Sequence, residues 1–200
     1  KGKHLMKLRV SYKREGDGFQ CDAVCDNGYT FPFWFRHGDS PTLYTEYKHL
    51  ELSPTARRVV WLAQQLPNEW AEIYMDNLFN SRKLFTALYL AKALAHGVVR
   101  THGRGVPPGV LQVEEKNAKR AEALRGTTRA ARLSNCPKCP NLIAASVYDT
   151  KPVHMLSTTT TTINWMEKKR RVWSLAEAAL IYVIFLHLNI IVDYNNNMNS

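Results

Sequence analysis

The sequence predicts a mixed α/β fold: a sheet flanked by helices, with an inserted β-rich part. Three observations carry this. Apolar and polar residues partly alternate near the start, helical periodicity follows twice, and the chain becomes largely extended after residue 103. Strands that alternate with helices argue for one sheet with helices packed on it, and a later run of strands argues for added β-structure. Residues 1–103 are expected to form the first part of the core. Residues 104–172 would be the β-rich insertion with a basic charged segment, and 173–200 the return toward the core.

The elements follow in order. Residues 5–12 partly alternate, as a half-buried strand does, and the charged, glycine-bearing 13–18 is a turn. Residues 19–24 make a second strand. Asp26-Asn27-Gly28 supplies hairpin turn chemistry, and the aromatic-rich 29–35 is the returning strand. Residues 37–41 are loop. Ser53-Pro54 opens a helix, with Ser as cap and Pro at the first helical position. Val59, Val60, Leu62, Ala63 and Leu66 carry it, and Pro67-Asn68 ends it. Residues 71–75 fit a short buried strand. Asn80-Ser81 starts a second helix, in which Leu84/Leu88 and Phe85/Tyr89 are i, i+4 pairs. Residues 97–100 read as a strand and 103–109 as a Gly/Pro loop. Residues 114–125 are a solvated helix or a loop. Strands are expected at 129–133 and 142–156 around the 136–140 loop, then a hydroxyl-rich patch at 157–162 and a basic run at 168–171.

Composition narrows the class. A 45% hydrophobic and 22% charged chain is ordinary for a folded protein, and its length suffices for one domain with a sizeable core. Twenty-seven Lys and Arg against seventeen Asp and Glu give a net charge of +10, so polyanions, and nucleic acid first, lead the partners. The chain opens on Lys1 with no signal-peptide pattern, so a longer reading frame is expected around it. The apolar run 175–192 contains Glu177, His187 and Asn189, and reads as a buried helix or strand in preference to a membrane span. Four cysteines fall as Cys21 and Cys25, then Cys136 and Cys139. A structural zinc needs four ligands in tetrahedral reach. The alternative is small apolar or loop cysteines in a reducing compartment.

Two acids stand at strand ends: Asp26, and Asp76 followed by Asn77. If their strands are ladder neighbours, about 4.8 Å apart, the two carboxylates face a common point. Such a pair suits Mg²⁺ ions, which sit about 3.5–4 Å apart in two-metal phosphoryl-transfer sites. Both acids also read as turn formers, because Asp and Asn bond to their own backbone.

Motifs raise the first reading. Cys25-Asp26-Asn27-Gly28 after an apolar strand resembles the first acidic motif of piggyBac transposases. Met75-Asp76-Asn77-Leu78-Phe79-Asn80-Ser81 resembles the second, D-N-x-[FY]-x-S. Gly97 to Arg100 with Val106-Pro107 resembles the strand and turn that follow. Residues 142–156 resemble a strand pair of the insertion, and Asp193-Tyr194-Asn195 with Met198 resembles the approach to the third acidic motif. The resemblance covers roughly 1–172 and 187–200, with several motifs in order.

The resemblance implies a ribonuclease H-like mixed sheet with a β-rich insertion. It implies Mg²⁺- or Mn²⁺-dependent phosphodiester hydrolysis and strand transfer at transposon ends into TTAA targets, in the nucleus, by a chain that could be a homodimer. Only Asp26 and Asp76 carry over as catalytic and metal-binding. Asp193 is not the third carboxylate in this alignment, and the third acidic motif is expected after Ser200, so the chain is expected to be an inactive fragment. Residues 173–190 are more apolar than the charged hairpin the family suggests there.

Arg100, Arg104, Arg125 and Arg129, with Arg120 and Arg132, could track a DNA backbone, or could simply be solvated. The seven histidines are scattered, Ser146 and Ser157 lack a nucleophile-elbow context, and the five tryptophans read as core or edge packing. Two functions remain: a transposase catalytic-domain piece, or a non-catalytic DNA-binding relic of one that keeps only the basic surface.

Overall fold

The structure is a computed structural model that describes residues 7–9, 14, 16–36, 51–100, 105–134, 136–174 and 176–198. Its centre is a five-stranded mixed sheet in the order β5-β6-β9-β8-β7. The strands are β5 (Glu72–Met75), β6 (Leu94–Val99), β7 (Thr128–Arg132), β8 (Ile143–Tyr148) and β9 (Pro152–Ser157). β5 and β6 are parallel, and the remaining pairs are antiparallel. The parallel pair is joined through a helix, as parallel strands require.

Helices α1 (Pro54–Gln64) and α2 (Arg82–Leu90) cover one face of the sheet. Both start as the sequence predicts. Ser53 Oγ accepts from the Ala56 amide at 3.2 Å with Pro54 at the first position, and Ser81 Oγ accepts from the Leu84 amide at 3.3 Å. Val59, Val60 and Ala63 of α1 meet Leu84, Phe85 and Leu88 of α2 over Ile73, Met75, Ala95 and Val99 of the sheet. α4 (Asn189–Asn197) covers the other face, where Ile190 and Ile191 pack on Ile143, Ala145, Val147 and Met155. Successive residues of β8 serve different cores: Ile143 and Ala145 face α4, and Ala144 between them faces the other layer. That is why this strand reads as continuously apolar.

Three two-stranded ribbons are separate from this sheet: β1 (Leu8–Arg9) with β2 (Asp17–Gly18), β3 (Cys21–Asp26) with β4 (Tyr29–Phe35), and β10 (Trp165–Ser174) with β11 (Ala179–Leu188). The short α3 (Ala118–Leu124) is solvated, with no buried residue.

Several expectations shift. The strand expected at 97–100 begins at Leu94, since Ala95 and His96 are fully buried. The stretch 142–156 keeps to the strand pair that it resembles, β8 and β9 on either side of the bend 149–151. The hydroxyl patch begins at Ser157, the last residue of the central strand β9, and next to it Thr158 Oγ1 accepts from the Ala95 amide at 2.8 Å. The apolar run 175–192 is neither one helix nor one strand. It holds all of β11 and the start of α4, and β11 leaves Leu180, Tyr182, Ile184 and Leu186 exposed. Both faces of 179–188 are apolar in sequence, so periodicity alone does not say which is covered. Among the described residues, no helix is long and apolar enough to cross a membrane. Of the strand expected at 5–12, only Leu8–Arg9 appears as strand among the described residues, and the whole of the expected loop 37–41 lies outside them.

Candidate functional site

The two predicted acids sit at the ends of their strands. Asp26 closes β3, and the next two residues make the hairpin turn. Asn27 (φ 47°) and Gly28 (φ 82°) both have positive φ, the type I′ geometry that Asn-Gly favours. Asn27 Nδ2 donates to Asp26 Oδ1 at 3.1 Å. Asp76 follows β5. Its Oδ1 accepts from the Asn77 amide at 2.6 Å, and its carbonyl accepts from the Phe79 amide at 3.2 Å.

Asp26 and Asp76 line one cleft of about 700 Å³, together with Asn27, Phe31, Glu72 and Asn197. Their strands are not ladder neighbours, which corrects the simplest form of the expectation. β3 pairs with β4, and β5 pairs with β6 at the edge of the main sheet. The cleft runs between the β3–β4 ribbon and that edge, so the acids approach a shared space from two separate sheets.

The ribbon is tied to the body by a buried ion cluster that the sequence did not disclose. Asp22, 5% exposed, accepts from Arg36 Nε at 2.9 and 2.8 Å and from Arg58 Nε of α1 at 2.9 Å. Arg36 Nη2 adds a further contact. On the same side Trp34 meets Trp61 edge-on, with ring centroids 5.0 Å apart. Nothing local in the sequence marks Asp22 as buried, because Arg58 lies far along the chain.

The Asp76 side is built differently. Asn80 Nδ2 bridges the end of β5 to β6, and the Tyr194 hydroxyl of α4 donates to the Met75 carbonyl at 3.3 Å. Asn80 read only as a helix-start residue in sequence. Beneath lies His96, fully buried between Tyr74 (5.5 Å) and Tyr194 (5.6 Å), and burial pushes its pKa down to about 4. Glu72, a further acid on the cleft, accepts from the Tyr74 hydroxyl at 2.8 Å. Burial, then the charge of Glu72, raises the Asp193 carboxyl. Burial, then the charge of Asp76, raises the Tyr194 phenol.

The donor set suits a hard divalent cation. Among the described residues, Asp26 and Asp76 join no ion pair, and the second oxygen of each makes no hydrogen bond. Among the described residues, no three His, Cys, Asp or Glu side chains come together in a metal-holding group. The four cysteines do not meet that geometry either. Cys21 and Cys25 are exposed on β3, while Cys139 is buried in the core and its thiol is pushed up to about 11, chiefly by burial.

The basic residues are spread out. Arg100 is exposed just past β6, and Arg104 lies outside the described residues. Arg125 pairs with Asp149 at 3.3 Å and sits 5.8 Å over the Phe185 ring. Arg129 Nη1 donates to the Leu111 carbonyl at 3.1 Å. The tryptophans divide: Trp34 and Trp61 pack together, while Trp165 and Trp173 are exposed on β10, against the packing expectation.

Comparison with known proteins adds the following. Residues 1–200 match the family described as Transposase IS4. No curated protein sequence matches the chain. The chain is similar in fold to a solved structure, the cryo-EM structure of the piggyBac transposase synaptic complex with hairpin DNA. The TM-score is 0.65 at 16% identity, over 98% of this chain and 35% of that one. The chain therefore spans about a third of the length of that protein. The mixed sheet with helices on both faces agrees with the ribonuclease H-like expectation, and the likeness read from the two acidic motifs extends to the fold of nearly the whole chain.

Proposed function

The chain belongs to the family described as Transposase IS4, and from that premise we propose that it is part of the catalytic domain of a piggyBac-type DNA transposase. The observation that carries this reading is the pair Asp26 and Asp76, which line one cleft, each with a carboxylate oxygen left over. In this reading the two carboxylates bind Mg²⁺ or Mn²⁺. A cation bound there supplies Lewis-acid chemistry for phosphodiester hydrolysis and strand transfer. Asn27 and the Asn77 amide each hold one carboxylate oxygen and so orient the other. Arg100, Arg104, Arg125 and Arg129 attract the DNA backbone, and Arg125 would exchange Asp149 for phosphate to do so. The DNA would be transposon ends and TTAA targets, in the nucleus, with a homodimer as the acting unit.

The 200-residue chain alone is proposed to be inactive, because two carboxylates hold metal less firmly than a complete set and loose positioning costs about 10²-fold in rate. The test is cleavage of a labelled transposon end in Mg²⁺ or Mn²⁺, alongside Mn²⁺ binding followed by electron paramagnetic resonance. Mn²⁺ binding that Asp26→Ala and Asp76→Ala each weaken, without robust cutting, is the expected result. Robust cutting refutes the inactivity.

A second reading is a non-catalytic DNA-binding relic. It rests on the net charge of +10, which attracts DNA without any metal site. It predicts DNA affinity that falls steeply with salt, and Mn²⁺ binding unchanged by either alanine substitution.

A further inference from the structure

The bend that carries Asp76 is held by side chains and not by a strand ladder. β5 is an edge strand, and its last ladder pair is Met75 with Gly97. Beyond it, Asn80 Nδ2 donates to the carbonyls of Met75 at 3.1 Å, Asp76 at 3.1 Å and Val98 at 2.7 Å. Three carbonyl oxygens surround this one atom, so it is the nitrogen and not the oxygen of the carboxamide. The amide oxygen is buried and has no hydrogen-bond partner among the described residues. An arrangement that leaves a buried acceptor unpaired persists when the bonds on the other side outweigh that cost.

Gly97 makes the room. A Cβ there would lie 2.1 Å from Asn80 Nδ2 and 2.5 Å from the Met75 carbonyl oxygen. From the other layer, the Tyr194 hydroxyl reaches the same Met75 carbonyl at 3.3 Å. The backbone entering Asp76 is thus suspended from two side chains, one just before α2 and one on α4.

We propose that Asn80, seated over Gly97 and assisted by Tyr194, is a positioning residue that sets where the Asp76 carboxylate points into the cleft. The proposal deepens the reading of Asp76 as a metal ligand and, for its consequence on metal, rests on it. Asn80 acts through the Met75 and Asp76 backbone and touches no reacting group itself.

Two readouts keep the proposal and that reading separable. The first is hydrogen exchange at the Asn77 and Phe79 amides, which donate to the Asp76 side chain and carbonyl. Asn80→Ala should speed both about tenfold, the equivalent of one ordinary hydrogen bond lost, while the amides of Phe85 and Leu88 keep their rates. Tyr194→Phe removes a single hydroxyl and should speed them by a smaller factor; it decides the matter if Asn80→Ala fails to fold. Unchanged exchange at both amides, or a rise equal to that at Phe85 and Leu88, overturns the proposal.

The second readout is the Mn²⁺ dissociation constant of the folded protein. Asp76→Ala should weaken binding by far more than tenfold and Asn80→Ala should weaken it about tenfold, a smaller loss than a one-ångström misplacement brings in catalysis. If Asp76→Ala removes Mn²⁺ binding while Asn80→Ala leaves it intact, Asn80 is only structural and the proposal falls. If Asp76→Ala binds Mn²⁺ as the unsubstituted chain does, the metal reading fails, and the exchange rates alone decide on Asn80.

Discussion

Asp26 and Asp76 look into one cleft from two kinds of structure. Asp76 stands on the edge of a five-stranded sheet with packed layers on both faces, and its bend is pinned by Asn80 and Tyr194. Asp26 stands at the tip of a two-stranded ribbon whose β4 exposes Tyr29, Phe31, Phe33 and Phe35. The ribbon meets the body through the Asp22–Arg36–Arg58 cluster and the Trp34–Trp61 contact. The same acidic chemistry is therefore held by many weak interactions on one side and by a few strong ones on the other. The ribbon side should loosen at a single substitution, and the sheet side should yield in small steps.

The largest expected effect tests the ribbon. Asp22→Ala leaves two guanidinium groups facing a buried site without their carboxylate, which typically costs about 3–5 kcal/mol. Near-ultraviolet circular dichroism should lose the Trp34–Trp61 signal while hydrogen exchange in β6, β8 and β9 stays slow. Equal loosening of both regions would remove the contrast between them.

The next effect belongs to the sheet side and to pH. His96 has a folded pKa of about 4 against 6.5 when free, so between these values the unfolded chain holds more protons. Stability must therefore fall as pH drops from 6.5 toward 4, by on the order of 3 kcal/mol. His154, also lowered by burial, acts in the same direction, and Asp193, whose carboxyl is raised, opposes it at the acid end. Thermal melts across this range should show the loss, and His96→Leu should flatten it. A melt independent of pH contradicts the burial of a neutral imidazole at this position.

Smaller still, Gly97→Ala forces Asn80 or the Met75 carbonyl aside and should cost about 1–3 kcal/mol, read from urea unfolding. Least of all, Ser81→Ala removes the cap of α2 and should cost about 1 kcal/mol. If Ser81→Ala proves the more costly of the two, the Asn80 seat is not what holds the bend.

The sequence discloses what is local. The Asn27-Gly28 turn, the Ser53 and Ser81 caps and the two strand-end acids follow from short-range chemistry, and they appear where the pattern puts them. What stays hidden depends on distant partners. Asp22 finds Arg58 36 positions on, and Met75 finds Tyr194 119 positions on. The separation of β3 from β5 is equally invisible, since an alternating strand looks the same in either sheet. Residues 179–188 are apolar on both faces, so their exposure follows from the partners they lack and not from their pattern.

A crystal soaked in Mn²⁺, with the metal located by its anomalous scattering, tests the central claim most directly. The account predicts a peak in the cleft within bonding distance of carboxylate oxygens from both Asp26 and Asp76. A cleft without a peak, or a metal held by only one of the two, would contradict it.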